Sequence, residues 1–355
     1  MGLLCLWRGC ATRLLTRITQ LISLLFQSFF SMKNLSLLAA SLLVAGVAHA
    51  QNNIQSLSQT GGSNTGTVTQ SGSFSTATGT QNGNGNQLTQ TQDAATGYGN
   101  TLNTATASQR GNNNKASQSQ YGSRNEGTIT QGDGVANDDG NEATQLQIGQ
   151  RNKATATQLG GSSLSYQEQR DGSRNEATVT QKGGDFNQAR QVQRDATSGY
   201  GTNDNKAVIE QTGSYNKSSQ EQRGVENRAT AIQNGGLNEA TQTQGGNFDG
   251  SFRSVAAIDQ LGDGNKATQT QNGDNQRATI EQEGNLNIAV QTQGNSIGGV
   301  GNRAYIDQDG DGHYARQIQT GVGNQADTWQ GASANTSDVS QIGNGNTSVV
   351  KQNHP

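Results

Sequence analysis

Proline is all but missing: the 355-residue chain has one, Pro355. Upstream of it every residue keeps its backbone N–H, so any strand can donate a full ladder of hydrogen bonds. Cysteine is nearly as scarce. Cys5 and Cys10 both precede residue 51, which leaves the remainder without a disulfide, thiol chemistry or a Cys metal site. Aromatic residues make up 5% and hydrophobic residues 29% of the chain. That excludes a large oily core, and composition alone would place the chain among disordered polymers. Only His313 and His354 lie beyond residue 51 as histidines. No Ser-His-Asp set, paired buried carboxylates or phosphate loop stands out, so the chain is not read as an enzyme and no cofactor is implied.

Long apolar runs are missing too. Leu21–Phe30 and Leu35–Val47 are short and interrupted by Ser and Lys33, which argues against a membrane anchor. Residues 32–50 read instead as a secretory signal peptide: Met32-Lys33, an apolar stretch, then Ala48-His49-Ala50 as the cleavage site before Gln51. Residues 1–31 precede a sufficient initiator Met32 and read as a translation start placed too far upstream, or as an unusually long n-region. The expected organisation is thus 1–31 extension, 32–50 signal peptide and 51–355 mature domain. Cleavage would remove four cations and no carboxylate, turning the net charge from −3 to −7. A mildly acidic surface argues against nucleic acid as a partner.

What the chain has in abundance is a spaced set of Gln, Gly, Asn and Ala. The unit is Q-x-G-x-x-N-x-A-x-x-x-Q, each closing Gln opening the next eleven residues, and seven stretches match every position. Those opening at Gln109, Gln147 and Gln222 carry Gly111, Gly149 and Gly224, then Asn114, Asn152 and Asn227, and close on Gln120, Gln158 and Gln233. Gln233 opens a further copy with Gly235, Asn238 and Gln244, and Gln260 another with Gly262, Asn265 and Gln271. The last two are Gln282 with Gly284, Asn287 and Gln293, and Gln319 with Gly321, Asn324 and Gln330. Looser copies fill most of residues 53–352.

Counted from Asn as zero, Asn, Ala, the residue at 4 and the closing Gln at 6 leave an extended strand by one face. The Gly segment supplies a tight turn. Each unit is one strand plus one turn, and closing Gln residues from Gln59 to Gln352 mark 25 strands. Position 4 alternates between Gln and an aliphatic residue from Gln90 to Gln317, as in Gln167, Val179, Gln191, Ile209. The true repeat is therefore 22 residues: an all-β, two-sheet β-solenoid of about 12 rungs, one sheet lined by aliphatics and the other by Gln.

Position 1 tests that register. Glu126, Lys153, Glu176 and Lys206 would stack in one sheet, and Lys217, Glu239 and Lys266 in the other, each unlike pair contributing roughly 0.2–1 kcal/mol. Arg228, Arg277 and Arg303 break the alternation. Inserted residues fall in turns, at 93–102, 132–140, 194–204, 245–253 and 294–301. Four of the five follow a Gln-type strand, and DAATGYG (93–99) nearly repeats as DATSGYG (195–201). Asp307–Gly312 imitates the first half of a calcium loop but has Ile318 where a bidentate Glu is needed, so no metal site is expected.

The repeated Gln, Gly, Asn, Ala and Gln, over about 300 residues, resembles the curlin repeat of curli fibre subunits, the functional amyloids of Gram-negative biofilms. The resemblance implies passage to the periplasm, export through a dedicated outer-membrane pore, and polymerisation at the cell surface with a second curlin subunit and accessory factors. The chain departs from the family in being much longer than five-repeat subunits and in lacking their Gly-rich leader; major and nucleating subunit both stay open. Polymerisation is also expected from the residues themselves. With two mature residues before Asn53 and three after Gln352, the solenoid is expected to end in open edges, and Gln and Asn at matching heights would form axial amide ladders. The fibre axis should then follow the stack, each subunit spanning about 58 Å. Rival readings are a solenoid adhesin whose inserted turns bind a receptor, and an ice-binding protein using outward pairs such as Thr155/Thr157 and Thr268/Thr270.

Overall fold

The computed structural model describes residues 52–93, 102–133, 138–194, 204–245, 251–294, 301–332 and 334–354. The expected signal peptide and upstream segment lie outside the described residues, as do the centres of all five inserted turns, with DATSGYG whole and DAATGYG beyond Asp93. Among the described residues every regular element is a strand.

Successive strands alternate between two parallel sheets. Ile54–Thr60 leads through a tight turn to Thr65–Gln70, and the chain returns as Thr76–Asn82, which pairs with Ile54–Thr60 in parallel. Repeated along the chain, this gives one sheet of thirteen strands, from Ile54–Thr60 to Thr347–Gln352. The second runs from Thr65–Gln70 to Thr336–Ile342, and its thirteen strands include the two-residue Ser251–Phe252, which lies off the path. The fold is the expected β-solenoid. Ser251–Phe252 pairs with Gly224–Val225, at the same place beyond the closing Gln where Gly122–Ser123 pairs with Gly149–Gln150.

Register follows the 22-residue logic even where inserted turns lengthen the loop. Val179 pairs with Ala156 and Ile209 in one sheet, while Gln167 pairs with Gln145 and Gln191 in the other. The aliphatic sheet therefore points Ile129, Ile209, Ile258, Ile280 and Ile306, all fully buried, at the Ala residues of the glutamine sheet. At most one branched aliphatic per rung, with Ala107, Ala156 and Ala231 in its place in others, at about 1.5–3 kcal/mol each when buried, is a thin core, so polar interior contacts must contribute as well.

On the outside, the charge columns stack as the register requires. Lys153 lies 3.8 Å from Glu126, Lys206 3.1 Å from Glu176 and Lys266 3.1 Å from Glu239. Arg228 sits beside Lys206, and Arg303 beside Arg277, so the breaks in alternation are real like-charge neighbours.

Two departures from the repeat have packing causes. Gly79 stands at an aliphatic position because Leu88 replaces the facing Ala: a Cβ on Gly79 would lie 2.4 Å from Leu88 Cδ2. Thr328, also at an aliphatic position, offers its Oγ1 to Gln317 Nε2 at 3.0 Å. That amide has Val339 as its neighbour in the next rung, where elsewhere a Gln would accept. The Trp329 ring is 5.8 Å from that of Tyr305 and carries Lys351 Nζ 5.2 Å from its centroid.

Candidate functional site

The interior of the solenoid is an array of amides. In the aliphatic sheet the closing Gln residues form one column, in which Gln109 Nε2 donates to Gln131 Oε1 at 2.9 Å and Gln131 to Gln158 at 2.9 Å. The same column continues through Gln233, Gln260 and Gln282 to Gln308 and Gln330. In the glutamine sheet a second column links Gln120 to Gln147 at 2.8 Å, Gln222 to Gln244 at 2.8 Å, and Gln244 to Gln271 at 2.9 Å. Beyond these it passes through Gln293 and Gln319 to Gln341. All these side chains are buried.

Each amide carries two N–H donors, and within the stack both are used. One follows the column; the other crosses to a backbone carbonyl of the facing sheet, as from Gln109 to Gln87 O at 3.0 Å and from Gln271 to Val255 O at 2.9 Å. Leu in this position could make neither bond, and Glu would offer an acceptor where a donor is needed. The columns thus hold rung to rung and sheet to sheet at once.

A third column was not among the seven full matches, although the alternation at position 4 points to it. It runs Gln90, Gln118, Gln145, Gln167, Gln191, Gln220, Gln242, Gln269, Gln291, Gln317, each Nε2 donating to the next Oε1 at 2.7–3.1 Å.

The Asn residues organise the turns. Asn238 Oδ1 accepts from the backbone N–H of Asn265 at 2.9 Å, and Asn265 Oδ1 from that of Asn287 at 3.0 Å. Their amides reach the turn of the next rung: Asn238 Nδ2 donates to Gly262 O and Asn265 Nδ2 to Gly284 O, both at 2.7 Å. Asn114, Asn152, Asn227 and Asn324 likewise accept from the backbone of the next rung. The turn glycines Gly111, Gly149, Gly224, Gly235, Gly262, Gly284 and Gly321 all have positive φ. His313 occupies an Asn position, where its Nδ1 accepts from the Asn335 N–H at 3.1 Å and its backbone N–H donates to Asn287 Oδ1 at 2.8 Å.

One outer column of the aliphatic sheet is acidic, with Asp259, Glu281 and Asp307 in consecutive rungs. Tyr305 Oη donates to Glu281 at 2.8 Å, and His354 Nε2 lies 3.5 Å from Asp307. Partial burial raises the pKa of Asp259, with the Glu281 charge adding to it; burial likewise raises that of Asp307 against the opposing pull of His354. A carboxyl whose folded pKa lies above its unfolded value of about 3.9 binds its proton more tightly when folded. Stability should therefore fall as pH rises from about 4 through the raised values. Denaturant midpoints measured from pH 4 to 7 should decline with pH more steeply for the native chain than for Asp259→Asn. Equal slopes would show that this column does not set the dependence.

Among the described residues no group of three or more His, Cys, Asp or Glu is placed to hold a metal ion. The family profile described as the curlin associated repeat matches residues 103–132, 149–183 and 254–289. No curated protein compared with the chain matches it.

Proposed function

The chain belongs to the curlin-repeat family, and from that premise we propose that it is a structural subunit of an extracellular curli-type fibre, polymerising through the end rungs of its solenoid. One observation carries the reading. Among the described residues the edge strands Ile54–Thr60 and Thr347–Gln352 each have a sheet neighbour on one side only, yet their closing Gln59 and Gln352 belong to the same amide column as the interior rungs. An edge that repeats the interior chemistry is a template for another rung.

The rest of the proposal follows from the family. Residues 32–50 would direct the chain to the periplasm and be cleaved after Ala50, and an outer-membrane pore with accessory factors would pass it to the surface. There it would meet further copies and a second curlin subunit. The chain's role is mechanical, in biofilm matrix and adhesion.

The test is to dilute the denatured protein into quiescent buffer, follow thioflavin T, and take fibre diffraction from the product. Lag-phase growth is expected, with a meridional spacing of about 4.7–4.8 Å and an equatorial one of about 10 Å. A folded monomer that does not grow would sink this reading and favour the adhesin stalk or the ice-binding solenoid.

A further inference from the structure

Both ends of the stack lie in the same sheet. The first described strand, Ile54–Thr60, and the last, Thr347–Gln352, belong to the aliphatic sheet, which has thirteen strands against twelve on the path of the other. Because the coil alternates between sheets, the position that follows Thr347–Gln352 belongs to the glutamine sheet. A second copy beginning with Ile54–Thr60 fits there without a gap only if its aliphatic sheet continues the glutamine sheet of the first.

The ends are chemically suited to that exchange. Within the stack, placing Ile on Gln would interrupt the position-4 column and strand a buried amide. At its two ends, however, the glutamine sheet carries Val68 and Val339 at position 4, and the aliphatic sheet carries Leu57 and Val350. With sheets exchanged, Leu57 meets Val339 and Val68 meets Val350, and every such contact is aliphatic. The two valines are unfavourable within a single chain. Gln90 Oε1, above Val68, is buried without a partner, and Gln317, below Val339, turns to Thr328 instead.

The closing Gln columns set the polarity of the joint. Every Nε2 donates toward the higher-numbered rung, so Gln341 and Gln352 present donors at one end. At the other, Gln70 is 7% exposed and its Oε1 is buried without a partner, while its Nε2 is already engaged with Gln92. Acceptors therefore face donors head to tail, whereas head-to-head joints would set like against like.

We infer that a second copy of this chain docks head to tail, rotated by half a turn about the axis, so that the aliphatic sheet of each subunit continues as the glutamine sheet of the next. The inference rests on the polymerising reading above and adds its symmetry. Stacking without rotation would put Leu57 on Val350 but leave a strand-deep gap between Thr336–Ile342 and Thr65–Gln70, with both main-chain edges unpaired.

Paired cysteines distinguish the two joints, because neighbouring parallel strands are about 4.8 Å apart, within disulfide reach. The full chain would carry Cys5→Ser and Cys10→Ser in every variant. In the half-turn joint Ser58 meets Ser340; in the unrotated joint it meets Lys351. Ser108→Cys with Thr130→Cys, on strands already paired, is the intramolecular control for closure. After fibre growth and oxidation, Ser58→Cys with Ser340→Cys should give a reducible ladder of covalent multimers and Ser58→Cys with Lys351→Cys should not. Multimers from the Lys351 pair, or fibres with neither crosslink while the control closes, would overturn the half-turn joint and leave polymerisation standing. Absence of thioflavin T-positive polymer from the Cys5→Ser, Cys10→Ser background would instead overturn polymerisation itself, and the joint with it.

Discussion

Gln269→Glu is expected to destabilise the solenoid severely at neutral pH and far less in acid. Gln269 is fully buried in the third column, where it accepts from Gln242 at 3.0 Å and donates to Gln291 at 3.0 Å and to Ala257 O at 2.8 Å. Glutamate has the same shape but no N–H. When ionised it would face two acceptors, and an uncompensated buried charge costs about 3–5 kcal/mol. When protonated it could satisfy one of the two, leaving a loss of about 1–3 kcal/mol. Burial must raise its folded pKa above the unfolded value of about 4.3. The deficit relative to the native chain should therefore grow as pH rises through the interval between the two. Denaturant midpoints from pH 4 to 7 read it directly. Gln269→Leu separates charge from lost hydrogen bonding: it should cost about 1–3 kcal/mol for each orphaned partner, with no added pH dependence. A Glu variant as stable as the native chain at pH 7 would mean that water reaches the column.

Gly262→Val should break the stack at one level. Gly262 has φ +113°, and a Cβ there would lie 2.0 Å from Gly284 O. That oxygen is held by Asn265 Nδ2 at 2.7 Å, so it cannot withdraw without giving up a turn contact. Backbone strain at positive φ contributes about 1–3 kcal/mol, and separating two rungs raises the expected total above about 4 kcal/mol. Because each rung contacts its neighbours alone, the defect should uncouple the halves on either side rather than weaken the whole. Hydrogen exchange should show lost protection concentrated near Gly262 and Gly284, and melting should resolve into two transitions. Gly345→Ala is the comparison, since Gly345 has φ +67° but nothing within 4 Å of a Cβ; it should show strain alone. A single transition with near-native protection in Gly262→Val would mean that adjacent turns can part without cost.

The seven full repeat matches belong to amide and turn columns that extend through many other residues. Gln109, Gln158 and Gln260 lie in one column and Gln120, Gln222 and Gln293 in another. Imperfect copies join them because a column needs an amide at the right height, not a whole motif. Ser163 and His313 occupy Asn positions and accept the role in part: each donates its backbone N–H to the Asn of the rung below. Trp329 shows the opposite limit, since nothing in its own unit announces that Tyr305 and Lys351 will flank it.

In a solenoid, neighbours within a sheet are separated by a nearly constant length of chain, so strand order, register, charge stacking and the two kinds of interior could all be decided by the sequence alone. Contacts across the interior follow no such period. They depend on side-chain volume and on which way an amide points, and so only the tertiary structure decided that Leu88 requires Gly79, that Thr328 rescues Gln317, that Ser251–Phe252 adds a short strand, and that every glutamine column donates toward the higher-numbered end.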